Sequence, residues 1–405
     1  MKNTIALLVL TVSSVPAMLA QAQPSPAEIS IRKAQELIAK QPDHVAYYNS
    51  LAMAYARRAR ETSDDSYYRK AEETLQRSFE ISPDDFEAHK VQTWVLLGRH
   101  EFAKALEAAT KLNQRMPDDI LVYGYLADAN TELGNYPEAV KAIQWMLNMK
   151  PGNIPGLTRA AYQRELHGDL TGAVDLMQMA YDSTPYQEAE DRAWILTQIA
   201  HIKFVAGDLK QAETYAQGAL GVFADYHYAL GVLAQVRLAQ NRNDEAVALL
   251  QKRCDAAPHA ENLFALGEAL ERAGRHDEAQ KSFAEFERKA LLESNIADNA
   301  NHELMTYYAD YAKQPAKALK LAEQELARRR DVFTLDCYAW SLAANGDDAR
   351  AVVEIRKALA VGLKDPKILN HAKVIEQHLV PGVGLGLTGP TESTQVTDFR
   401  LSQIR

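Results

Sequence analysis

Residues 120–153 and 154–187 align with each other without a gap, at a period of 34. Leu126 falls over Ala160, Ala127 over Ala161, Gly134 over Gly168, Ala139 over Ala173, Met146 over Ala180 and Pro151 over Pro185. A repeat this short cannot bury its apolar face alone and does so only by stacking on copies of itself. That constrains the fold more than length does, since 405 residues would otherwise suggest two or three separate globular domains.

The residues set the shape of one unit. Its first half has helical apolar spacing and ends at Gly134 or Gly168, where glycine tolerates the left-handed conformation past a helix end. Its second half is helical again and ends at Pro151 or Pro185, because proline lacks the amide donor and clashes with the preceding turn. Each unit is therefore a pair of antiparallel helices, with Ala127, Ala139, Ala161 and Ala173 small enough to let the two approach closely.

This pattern resembles the tetratricopeptide repeat family, whose marks are a small residue at position 8, Gly at 15, Ala at 20 and Pro at 32. The resemblance implies an all-α, right-handed superhelical solenoid, with first helices lining a concave face and second helices a convex one. It implies a protein-binding role and names no partner.

Taken in order, residues 1–22 read as a cleavable export segment: Lys2, an apolar run from Ile5 to Val12, and Ala20-Gln21-Ala22 as the cleavage site. The run is too short for a membrane span, which needs about 20 apolar residues. The expected compartment is periplasmic or extracellular. A linker and lone capping helix follow over 23–42, the array over 43–365, a capping helix over 366–380, and a glycine-bearing tail over 381–405. The array counts about nine helix-turn-helix units. The first is lengthened by Glu61-Thr62-Ser63-Asp64-Asp65, read as a solvated loop or a helix extension; Glu188 to Arg192 reads as a charged spacer; the unit at 299–331, with Pro315 in its turn, matches least well.

Composition excludes some functions. A net charge of −9 disfavours nonspecific nucleic-acid binding, which needs clustered Lys and Arg. Arg57-Arg58 and Arg328-Arg329-Arg330 fall near helix ends, where cations complement the dipole. Cys254 and Cys337 lie three units apart by register and read as thiols, beyond the reach of a disulfide. No G-x-S-x-G and no G-x-x-x-x-G-K-[ST] occurs. His371 and His378 share a helix face without a third ligand and read as a surface pair. No cofactor, metal or catalytic residue is expected. Gly382, Gly384 and Gly386 read as flexible tail, with Val383, Leu385 and Leu387 as a strand that could add to a partner's sheet edge.

The candidate site is the concave groove. In the resembled family, positions 2, 5, 9 and 12 of the first helix point inward. By register these are Trp94, Asp128, Tyr162, Trp194, His201, Phe204, Tyr228, Phe264, Glu268, Tyr307, Asp310, Phe333, Asp336 and Trp340, with Glu165, Glu271 and Glu303 interleaved. Aromatic rings would bury apolar side chains of an extended or helical segment, and carboxylates would orient its Lys and Arg. The expected partner is a protein or peptide with apolar and basic residues. Lys90 and Asn49 are nearly alone as groove donors, which argues against a carboxylate-clamping ligand. Envelope assembly or secretion is the expected setting; the alternatives are a carbohydrate-binding or export-accessory protein, or a regulatory subunit of an envelope enzyme.

Overall fold

The computed structural model describes residues 24–379. The expected export segment at 1–22 and the tail at 381–405 lie outside the described residues.

The described residues form helices and no strand. α1 (Pro26–Lys40) stands alone. Nine hairpins follow: α2 (Val45–Thr62) with α3 (Ser66–Ile81), α4 (Phe86–Gly98) with α5 (Phe102–Arg115), and α6 (Ile120–Glu132) with α7 (Tyr136–Met149). Then come α8 (Ile154–Leu166) with α9 (Leu170–Ser183), α10 (Ala189–Val205) with α11 (Leu209–Val222), and α12 (His227–Ala239) with α13 (Asn243–Ala256). The last three are α14 (Ala260–Arg272) with α15 (His276–Glu293), α16 (Asn301–Thr306) with α17 (Pro315–Leu326), and α18 (Val332–Ala344) with α19 (Asp348–Leu359), before the single closing α20 (Pro366–Leu379). The fold is the all-α tetratricopeptide solenoid. Even-numbered helices are the first of each pair.

Local chemistry explains each joint. Asp119 caps α6, its Oδ1 accepting from Leu121 N at 2.9 Å and Val122 N at 3.1 Å. Gly134 then takes φ +80° and the chain reverses into α7. Inside the pair, Ala127, Ala139, Ala161 and Ala173 are at most 1% exposed. Caps also register one unit on the next: Asn49 Nδ2 donates to the cap Asp85 at 2.8 Å, and Lys90 Nζ to the cap Asp119 at 2.8 Å. Both residues are thus spent on joints.

Two irregular units have physical causes. The lengthened first unit is a helix extension: α2 runs to Thr62, so that buried Glu61 accepts from Ser25 Oγ at 2.5 Å and Ala27 N at 3.2 Å and seats α1. In the weakly matching unit, α16 runs into a π-helical turn, Tyr307–Tyr311, and the pair closes through Lys313 at φ +52°. A π-turn absorbs one extra residue. Both cysteines are free, Cys254 buried and Cys337 half-buried.

The array winds back onto itself. The turn of the second hairpin meets the connection after the seventh, with His100 Nδ1 3.4 Å from Asp298 Oδ1. The third meets the connection after the eighth: Val332 N donates to Tyr136 Oη at 3.0 Å, and Arg329 Nη1 lies 3.6 Å from Glu132 Oε2. The fourth meets the connection after the ninth, where a Cβ on Gly168 would lie 2.5 Å from Gly362 O. The separation from Tyr136 to Val332 is 196 residues, a little under six units of 34. Two superhelical turns therefore touch along a seam.

The seam revises the reading of the arginine runs. Arg57 lies 3.5 Å from Glu188, and Arg60 pairs with both Glu190 and Asp191, so α2 is tied to the start of α10. The charged spacer is the acceptor side of that clasp. Arg329 likewise bridges turns, instead of serving only a helix end.

Candidate functional site

The clasp between α2 and α10 closes the first turn into a ring. Inside it lies a cavity of about 1270 Å³, walled by α1 and by the inner helices α2, α4, α6, α8 and α10. Position along α2, α4, α6 and α8 separates the two ends of this space, whereas α10 is displaced, its first residues lying beside the last turn of α2. Tyr47, Glu87, Leu121, Ile154 and Pro155, from their first turns, ring the mouth. Leu97, Gly98, Thr131, Glu132 and Gln163, from their last turns, line a second chamber of about 350 Å³ at the deep end. Arg60, Trp94, Asp128, Arg159, Tyr162 and Trp194 line both, so the spaces are continuous. Below the chamber lies the seam with the second turn.

Aromatic rings form much of the wall. Trp94 packs edge-on to Tyr125, centroids 6.1 Å apart. Burial raises the phenols of Tyr125 and Tyr162 well above their ordinary pKa, so both stay neutral. The arginines of the wall are already engaged. Arg159 holds Asp128 with two hydrogen bonds, 2.7 Å from Nε and 2.5 Å from Nη2, and donates to Gly124 O and Pro155 O. Gly124 permits this, since a Cβ there would sit 3.1 Å from the guanidinium carbon. Burial penalises the Arg60 guanidinium, but Glu190 and Asp191 outweigh that and hold its pKa above the usual value. Tyr226 Oη donates to Glu190 at 2.6 Å, and the Arg60 carbonyl accepts from His227 Nε2 at 3.1 Å. Burial lowers His227 to about 4, so the imidazole is neutral and its proton is assigned to Nε2 by that bond.

Of the groove residues expected from register, Trp94, Asp128, Tyr162 and Trp194 line the cup. His201 stands farther along α10, its Nε2 3.0 Å from Glu165. Phe204 is half-buried on the same helix, and Tyr228 packs on His227 at 3.9 Å. The remainder belong to the second turn. Glu268 accepts from Tyr311 Oη at 3.2 Å, and Asp310 from Trp340 Nε1 at 2.8 Å. Tyr307 packs on Phe283 at 5.4 Å.

Three groove positions are corrected, the first being Glu165, 6% exposed and paired with His201. Phe264 is 4% exposed and lies in the core against Phe286, centroids 5.2 Å apart. Asp336 is 3% exposed and 3.0 Å from His371 Nδ1, on the capping helix α20. That also corrects the surface histidine pair: His371 is buried and stacks on Trp340 at 4.2 Å, and only His378 is exposed. Asp128, expected as a free carboxylate, is neutralised by Arg159.

Sequence reasoning missed Arg60, Tyr125, Arg159 and Gln163. Tyr125 and Arg159 occupy position 6 of their units, which the groove register omitted. The spacing of 31 residues from Asp128 to Arg159 was the available signal, since it links position 9 of one unit to position 6 of the next. Among the described residues, no group of three or more His, Cys, Asp or Glu is placed to hold a metal ion, and no helix is long and apolar enough to cross a membrane.

A family profile described as Tetratricopeptide repeat matches residues 197–261. No curated protein matches the sequence. Among solved structures, the human IFIT1 dimer with m7Gppp-AAAA is similar at a TM-score of 0.53 and 14% identity, over 81% of this chain and 84% of that one. The human IFIT1 dimer with PPP-AAAA gives 0.51 and 13%, over 82% and 94%. The APC/C hetero-tetramer Cut9-Hcn1 gives 0.47 and 13%; it is matched over 85% of this chain, which spans 58% of that one. At these identities the likeness is one of fold alone.

Proposed function

We propose that this chain, a tetratricopeptide-repeat protein, is a non-catalytic scaffold that holds a segment of a partner protein inside the cup of its first superhelical turn. The observation that carries this is the cavity of about 1270 Å³ faced by Trp94, Tyr162 and Trp194. Concave sites lined by aromatic side chains with a few placed polar groups are where ligands are held, and buried Trp and Tyr dominate binding energy at interfaces.

The partner is apolar where it meets these rings. Inside the cup, Asp128 and Asp191 are already paired with arginines. Basic residues of the partner are met instead at the mouth, where exposed Asp43, Asp84 and Asp118 precede α2, α4 and α6. The setting is outside the cytoplasm, on the strength of the export signature at residues 1–22, in envelope assembly or secretion.

A photo-crosslinking residue at Tyr162, compared with one at the exposed Phe333 of the second turn, tests the reading in the native cell envelope. Partner adducts from Tyr162 that vanish with Trp94→Ala and Trp194→Ala are expected. Equal adducts from both positions would overturn it. The same three rings also favour a sugar, which stacks on aromatic faces; a glycan array bound by the wild type and not by Trp194→Ala would replace the protein reading with that one.

A further inference from the structure

α1 reads as the second helix of a unit, and no first helix stands beside it among the described residues. Pro42 holds position 32, so counting back puts Ser30 at position 20, Lys33 at 23, Ala34 at 24 and Leu37 at 27. In the complete units these positions are shut away from solvent. Ala139, Ala142, Ile143 and Met146 hold them in one unit, and Ala173, Leu176, Met177 and Ala180 in the next; all are at most 7% exposed. In α1 only Ala34 is covered to that degree. Leu37 is half-buried, Ser30 and Lys33 are exposed, and all four line the cup.

Packing between helices agrees with this register. Outer helices of the complete units lie on two inner ones, α3 on α2 and α4, α5 on α4 and α6, α7 on α6 and α8. α1 packs substantially on α2 alone. It is nevertheless held in place. Glu61 accepts from Ser25 Oγ and Ala27 N, and Arg58 Nη2 lies 2.8 Å from Glu28 Oε1. The uncovered side of α1 therefore faces the cup in the attitude of an outer helix toward its own inner one.

The chain does not cover this side itself. By the same count residues 11–23 would supply the inner helix, but Pro16 falls at its sixth position. Proline inside a helix removes a hydrogen bond and clashes with the preceding turn, and the expected cleavage after Ala22 takes the segment away. In a second copy the inner helices are already paired within their own hairpins.

We infer, resting on the partner-segment reading above, that the partner's segment is an amphipathic helix lying antiparallel to α1, in the place of an inner helix. The inner helices α4, α6, α8, α12, α14 and α18 are 13 residues each, which sets the guest's length at roughly 20 Å. Its middle carries a small residue opposite Ser30 and Ala34. Ala52, Ala127, Ala161, Ala200 and Ala234, at position 8 of their units, show what that spacing demands, being at most 1% exposed. Apolar side chains of the guest meet Leu37 and Met53. An acidic one meets Lys33, which enters no ion pair among the described residues.

A synthetic peptide with the sequence of residues 119–134, the cap and inner helix of a complete unit, is the probe. It is used in large excess, because a helix this short is marginal alone. Added to the full chain, it should slow hydrogen exchange over 26–40, and the same peptide carrying Ala127→Glu should not. Ser30→Trp, at an exposed position of the chain, should abolish the slowing by filling the place beside α1. A photo-crosslinking residue at Lys33 should then capture the same partner as one at Tyr162. Exchange over 26–40 that the peptide leaves unchanged, or partner adducts from Tyr162 without any from Lys33, would overturn the guest helix and leave the cup standing as a polypeptide site. Lys33 adducts to a second copy or to residues 1–22 of the same chain would overturn the choice of occupant. Partner adducts from neither position would overturn the inference together with the function it rests on.

Discussion

Replacing Gly168 by alanine should pry the two superhelical turns apart, and Gly274 supplies the internal control. Both residues sit in the turn of a hairpin, at φ +79° and +74°. Alanine pays the same left-handed strain at each, about 1–2 kcal/mol, partly offset by the smaller entropy of its unfolded chain. The surroundings differ. A Cβ at Gly274 meets nothing within 4 Å, whereas one at Gly168 falls 2.5 Å from Gly362 O. Real Cβ atoms come no closer than 3.0 Å, so the seam must open by at least half an ångström against backbone. Forced overpacking of this kind costs about 1–3 kcal/mol, and that is the expected excess of Gly168→Ala over Gly274→Ala. Gly134→Ala, with Arg330 O at 2.6 Å, should behave like Gly168→Ala. Denaturant midpoints give the ranking. Because long arrays need not unfold in one step, hydrogen exchange over 360–364 should localise it, rising in Gly168→Ala and not in Gly274→Ala. If the two variants lose equal stability and exchange alike, the contact between turns does not exist in solution.

Arg60→Met should loosen the ring, since it leaves Glu190 with only Tyr226 and Asp191 with only the more distant Arg57; losing a hydrogen-bonded charge partner costs about 1–3 kcal/mol, seen as faster exchange over 188–192, and no change there would refute the clasp. For His201, burial opposes the imidazolium but Glu165 prevails and raises the folded pKa; its stabilisation is full below the unfolded value of about 6.5 and fades as pH rises through the folded one, so a thermal midpoint that falls on that interval should do so less in His201→Gln. For His227 the sign reverses: with its folded pKa depressed to about 4 by burial, stability is present above about pH 6.5 and is lost as pH falls toward 4, a loss that His227→Asn should lack.

The hairpins were legible in sequence because their causes are local. Gly134 and Gly168 reverse the chain, Asp119 caps the next helix, and alanines at a 34-residue spacing set each pair together. The winding was not legible. A period of 34 tells which residues neighbour each other along the ribbon, and nothing in it tells that Tyr136 will meet Val332 across 196 residues. Hence the sequence places Arg57 and Arg329 at helix ends and reads Glu188 to Arg192 as a spacer, although they meet partners the ribbon brings back to them. The site shows the same division. Trp94, Asp128, Tyr162 and Trp194 face the cup because an inward position on a regular unit stays inward. Phe264 and Asp336 both stand at position 5, where Phe283 and Phe286 of the same hairpin bury the first and His371 on α20 the second.

A coil whose loops rest on one another has lost the freedom to stretch like a spring. Lengthening this molecule along its axis means breaking His100 from Asp298, Tyr136 from Val332 and Gly168 from Gly362 together. It also means that the last three hairpins brace the second, third and fourth, so shortening the protein from its far end would be felt near its beginning.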